Sequence, residues 1–94
     1  MFNIARSEDG RILLTGRFDA AQADTARALL ATVQETCRVD FAGLDYISRA
    51  GLGVLLGTQK RLQGLGHRLV LANLNRHVRD LFHLAGFDQV FEIE

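Results

Sequence analysis

Residues 39–72 read VDFAGLDYISRAGLGVLLGTQKRLQGLGHRLVLA, and the fold turns on how this stretch divides. Arg38–Phe41 alternates around Asp40 and predicts a brief strand opening at Cys37. Ala42–Ser48 reads as a loop with a small apolar anchor of Leu44, Tyr46 and Ile47. A helix is expected from about Ala50 to Gln63, with Leu52, Leu55, Leu56 and Leu62 as its inner stripe. Gly64-Leu65-Gly66 ends it, because glycine accepts the left-handed geometry of a helix C-terminus. His67–Ala72 is then a strand whose centre, Leu69-Val70-Leu71, is continuously apolar, as in a parallel strand covered on both faces.

The same alternation continues outward. Phe2–Arg6 and Arg11–Thr15 are short strands joined by Ser7-Glu8-Asp9-Gly10, whose Asp-Gly pair signals a hairpin turn. After an exit loop at Gly16–Asp19, a helix is expected over about Ala20–Thr36, with Ala23, Ala26, Leu29, Leu30 and Val33 on one face. Asn75 can cap a third helix running to about Ala85, stopped at Gly86, with Leu74, Val78, Leu81, Phe82 and Ala85 inward. Val90–Ile93 is a last strand. The order β-β-α-β-α-β-α-β implies one α/β domain over residues 1–94: a mostly parallel sheet with an opening hairpin, covered by three to four helices.

At 94 residues, with 48% hydrophobic and 23% charged side chains, the chain is the size of one domain with one core. The apolar run Ala50–Gly57 is far short of the roughly 20 residues that span a bilayer. The opening Met-Phe-Asn-Ile-Ala-Arg has no apolar signal core. A single Cys37 excludes a disulfide framework and a cysteine zinc site, and reads as a small buried hydrophobe. A soluble, cytoplasmic protein without direct membrane insertion is the expectation. Eleven basic and eleven acidic residues cancel, which argues against general nucleic-acid binding. Locally they do not cancel. Residues 1–45 hold five basic and seven acidic residues, and residues 80–94 hold four acidic and no basic ones. Between them lie Arg49, Lys60, Arg61, Arg68, Arg76 and Arg79 with no acid. That run reads either as ordinary solvated surface or as a basic face for an acidic partner or phosphate-bearing ligand.

Catalytic constellations are weak. His77 and His83 are six apart, on opposite sides of a helix, so no metal pair is expected, and no cofactor is called for. There is no Gly-x-Ser-x-Gly elbow and no Gly-Lys-Ser/Thr loop. Gly51, Gly53 and Gly57 fail the dinucleotide fingerprint and read as close helix packing. What remains is a helix start, with free N–H groups and partial positive charge.

Val39-Asp40-Phe41, Tyr46 to Leu56, Gly66 to Asn73, Val78 to Leu84, Ala85-Gly86-Phe87 and Val90-Phe91 together resemble a STAS domain. Upstream, Leu14-Thr-Gly16-Arg-Phe-Asp19 is similar to that family's Gly-x-Leu-Asp segment. The resemblance covers nearly the whole chain and implies the fold of bacterial anti-sigma factor antagonists and of sulfate-transporter tails. It implies a non-enzymatic switch that docks an anti-sigma factor, often a histidine-kinase-like protein, and is turned off by phosphorylation of a serine at the start of the second helix. The family's usual helix-start string is Asp-Ser-Ser-Gly; here it reads Ser48-Arg49-Ala50-Gly51. The phospho-acceptor position thus holds Ala50. Ser48 either caps the helix or serves as a relocated acceptor. The resemblance places partner binding on Asp19, Ser48, Arg49, Ala50, Gly51 and Gly53, with Arg49 as a fixed anchor to an acidic surface. The alternative partner is the ATPase subunit of an ABC-type lipid or anion transporter, with the chain as its cytoplasmic STAS subunit.

Overall fold

The computed structural model describes residues 1–94. Its strands are β1 (Asn3–Arg6), β2 (Ile12–Phe18), β3 (Cys37–Ile47), β4 (Leu69–Ala72) and β5 (Glu92–Ile93). Its helices are α1 (Ala23–Leu30), α2 (Arg49–Gly64) and α3 (Arg76–Leu84), with short 3-10 turns at Ala20–Gln22 and Phe87–Gln89. One sheet runs in the order β1-β2-β3-β4-β5; β1 is antiparallel to β2 and every later pair is parallel.

The hairpin forms as its Asp-Gly pair requires. Gly10 sits at φ +87 and its N–H donates to the Ser7 carbonyl at 3.0 Å. Hydrogen bonds from the Ser7 hydroxyl and from Arg11 hold the Asp9 carboxyl down to a pKa of about 2. Because that folded value lies below the unfolded one, the stabilisation is complete above about pH 4 and is lost as pH falls toward 2. An NMR titration should find the Asp9 carboxyl midpoint near 2; an ordinary midpoint near 3.8 would show that the turn contacts do not persist in solution.

Several boundaries differ from the sequence reading, each for a tertiary reason. The second strand runs on through the expected exit loop Gly16–Asp19 as far as Phe18, held by its pairing with β3 up to Ile47. The first helix stops at Leu30 rather than Thr36. The chain there tightens into i→i+3 bonds, with the Thr32 and Val33 N–H groups donating to the Leu29 and Leu30 carbonyls at 3.0 Å each; Arg61 of α2 donates to the Leu30 and Val33 carbonyls at 3.0 and 2.8 Å, and the Thr32 hydroxyl donates to the Leu29 carbonyl at 2.6 Å. The expected loop Ala42–Ser48 is strand as far as Ile47, so β3 is 11 residues long. Its pairing with β2 slips twice, once between Leu13 and Thr15 and once between Gly16 and Arg17. Each slip adds a residue to β3, so its inward residues are Val39, Phe41, Leu44 and Ile47, a spacing that changes from two to three. Leu44 and Ile47 are anchors as expected, whereas Tyr46 pairs in register with Arg17 on the other face. The last strand is only Glu92–Ile93; Val90 and Phe91 precede it in the turn, where Phe91 joins Phe82 and Phe87 in an aromatic cluster.

All three helices lie on one face of the sheet. Arg61 ties α2 to the end of α1, and Phe82 of α3 packs edge-on against Phe41 of β3 at 6.0 Å. The covered face contributes Ile12, Leu14, Phe18, Val39, Phe41, Leu69 and Leu71 to the core. The other face has no helix, contrary to the two-sided cover read into Leu69-Val70-Leu71. Val70 is still only 8% exposed, because it lies in register between Arg38 and Glu92, and those side chains pair with Glu94 and Arg68, each at 2.8 Å. The long charged stems thus do the covering.

Candidate functional site

The site is built where β2 and β3 end side by side. The Ser48 N–H donates to the Phe18 carbonyl at 2.8 Å, which locks the start of α2 to the end of β2. Ser48 is extended (φ −84, ψ 170), and its Oγ accepts from the Gly51 N–H at 3.1 Å. Its carbonyl accepts from Leu52 N–H at 2.9 Å. Ser48 is therefore the N-cap of α2, a role worth about 1 kcal/mol.

The residues that follow face different ways. Arg49 is exposed and makes no ion pair. The first turn of α2 holds no acid, so its cation lies unbalanced against the positive end of the helix, at a cost of a few tenths of a kcal/mol. Ala50 is half-buried against the core. Gly51 is buried, and a Cβ on it would meet Ile47 Cγ1 at 2.9 Å and the Phe18 ring at 3.0 Å. It seats the start of the helix against the ends of β2 and β3. Gly53 is exposed, with open space where a Cβ would lie, and Gly57 one turn further on is the same. Each costs roughly 1 kcal/mol relative to alanine in a helix interior, and nothing inside the domain requires either.

Asp19 is half-buried at the end of β2 and starts the 3-10 turn; its N–H donates to Gln22 Oε1 at 2.9 Å. Its carboxylate lies 3.9 Å from Arg17 Nε, and the Arg17 guanidinium stacks 4.2 Å over the Tyr46 ring. The sequence reading takes Tyr46 as an apolar anchor and gives Arg17 no role of its own. Only the doubly bulged register of β2 with β3 makes them neighbours, and no spacing within either strand signals it.

The acid-free run does not make one basic face. Arg49 and Arg76 open α2 and α3 at the carboxyl end of the parallel strands. Arg61 is spent on the end of α1, and Arg68, which precedes β4 at the opposite end of the sheet, pairs with Glu92. Arg79 donates to the Glu94 carbonyl at 3.1 Å. At that opposite end Cys37 is buried, its thiol pushed up by burial and 3.5 Å from the Gly10 carbonyl, as expected of a structural cysteine. No helix is long and apolar enough to cross a membrane.

The end of β2 and the start of α2 thus bring Asp19, the Ser48 cap and the unpaired Arg49 to one end of a small α/β domain. The family model described as "Mlab, STAS domain" matches residues 3–93, and the chain belongs to the STAS domain family. It is 36% identical over 91 residues to BtrV of Bordetella bronchiseptica, a protein assigned as an anti-sigma factor antagonist, covering 90% of this chain and 78% of that one. It is 28% identical over 88 residues to the anti-sigma-B factor antagonist of Bacillus subtilis, covering 90% and 81%. The structure of the Bacillus antagonist SpoIIAA in its unphosphorylated form superposes over 100% of this chain and 88% of that one, with a TM-score of 0.78 at 22% identity, a likeness of fold. The domain is thus an anti-sigma factor antagonist-like STAS domain.

Proposed function

We propose that this domain docks a kinase-like anti-sigma factor through the start of α2 and the adjoining end of β2, and that docking is constitutive. Asp19, Ser48, Arg49, Ala50 and Gly53 form the contact surface, and Gly51 positions it. The observation that carries the reading is Ala50 at the second position of α2, beside an exposed Arg49 without a partner. A phosphate at that turn would add about −2 charge to a packed interface and end docking. Alanine has no hydroxyl to receive one. The nearest hydroxyl, Ser48, already accepts the cap hydrogen bond of the helix.

The test is calorimetry with the kinase-like anti-sigma factors encoded in the same genome, each purified singly. Arg49→Glu should weaken binding by roughly 30-fold or more, as removal of a central charged anchor does. An unchanged dissociation constant removes Arg49 from the interface. Incubation with the kinase and ATP should leave the chain unmodified; phosphate on Ser48 would replace constitutive docking with a relocated switch. A second reading is favoured by the description of the matching family model, "Mlab": a cytoplasmic STAS subunit of a lipid transporter, held by its ATPase. Co-purification with an ATPase and a permease, and with no anti-sigma factor, would select it.

A further inference from the structure

A groove runs between α1 and α2, lined by Arg27, Ala31, Gly53, Val54, Gly57 and Thr58, with Arg61 at its far end. We infer that this groove receives one α-helix of the docked partner, acidic along its edges and small-residued along its seam. The inference deepens the docking reading above and rests on it.

Three features of the groove point to that occupant. The first is its charge. Arg49 and Lys60 are exposed on α2 without ion pairs, and Arg27 and Arg61 line the groove itself. Residues 49–64 contain no Asp or Glu, and the carboxylate beside the groove, Asp24, is already 2.5 Å from Arg27. The surface therefore carries an excess of positive charge that an acidic helix complements. The second is its shape. Two neighbouring helices leave a channel along their seam, and side-chain ridges of a third helix pack into such a channel. The third is its floor. Gly53 and Gly57 lie one turn apart, in line with Arg49, so the floor continues from the helix start toward Lys60 and Arg61. Without side chains there, a partner backbone can approach closely, which a loop bearing large residues would not exploit. The domain alone has no use for either glycine.

In the full chain, Gly57→Leu and Gly53→Ala should each raise or leave unchanged the thermal midpoint, since both residues are better helix formers in open space. Both should nevertheless weaken binding to the anti-sigma factor that the wild-type chain binds, Gly57→Leu by tenfold or more. Lys60→Glu should weaken it further and flatten its salt dependence. Cross-linking from a cysteine placed at exposed Ala31 should reach an acidic helical segment of that partner. The inference is overturned if Gly57→Leu binds within twofold of wild type while Arg49→Glu does not bind, or if the cross-linked segment is basic or non-helical. Should the wild-type chain bind none of the anti-sigma factors, the docking reading and this inference fail together.

Discussion

Replacing Gln59 by leucine is expected to cost about 2–4 kcal/mol of folding stability, although leucine is the more hydrophobic residue and nearly the same size. Gln59 is 2% exposed on the inner face of α2. Its Oε1 accepts from the buried Leu69 N–H at 2.8 Å, and its Nε2 donates to the Val90 carbonyl at 2.9 Å. One amide thus ties the helix to the start of β4 and to the turn before β5. The Leu69 N–H lies in a fully buried residue, and an orphaned buried donor costs about 1–3 kcal/mol, while the part-buried Val90 carbonyl loses its partner as well. Leucine recovers part of this through apolar burial, which sets the range. Thermal unfolding should show a midpoint lower by more than about 10 °C in a domain this size. A midpoint within a few degrees of wild type would mean that the segment repacks and that Gln59 does not hold α2 in register with the sheet.

Gly51→Val is expected to cost about 1–3 kcal/mol and to disturb the proposed docking surface at the same time. The Cβ of any side chain at position 51 would press on Ile47 Cγ1 and on the Phe18 ring, both in the core and both at the strand ends that carry the site. Phe18 in turn stacks on Phe2 at 4.6 Å, so it cannot withdraw freely. The first turn of α2 must then lift, which strains the Ser48 cap at Gly51 N–H and moves Arg49. Chemical denaturation would read the stability loss, and the binding constant for the anti-sigma factor would read the displacement. Gly51→Ala should show a smaller loss in the same direction. A Gly51→Val chain with wild-type stability and binding would show that the helix start is free to shift, and would remove the positioning role assigned to Gly51. The contrast with Gly57→Leu is diagnostic: two glycines in one helix, one closed in by the core and one open to solvent, with opposite expected effects on stability.

The parts of the fold legible in the sequence were those set by neighbours in the chain. The Asp9-Gly10 turn, the Asn75 cap that receives the Val78 N–H at 2.8 Å, and the helix stop at Gly86 (φ +76) are local devices, and each lies where the residues put it. The apolar stripe of α2 is legible from its periodicity, because a regular helix repeats its own geometry, and β4 from its continuous apolar run Leu69-Val70-Leu71. Ser48 as the cap of α2 was likewise legible, since a serine before a helix has a partner three residues on.

Where two distant segments decide, the sequence was silent. The end of α1 depends on Arg61, which lies thirty-one residues beyond Leu30 in the chain. The length of β3 depends on two bulges imposed by pairing with β2, which break the two-residue alternation that marks a strand. The helix-free face of the sheet was hidden because Val70 is apolar there, shielded by arginine and glutamate side chains rather than by a helix. The same limit governs the site. The family resemblance and the capping serine are written in the residues, while the Arg17–Tyr46–Asp19 group, the inward turn of Gly51 and the groove over Gly53 and Gly57 exist only once strands and helices from different parts of the chain are packed together.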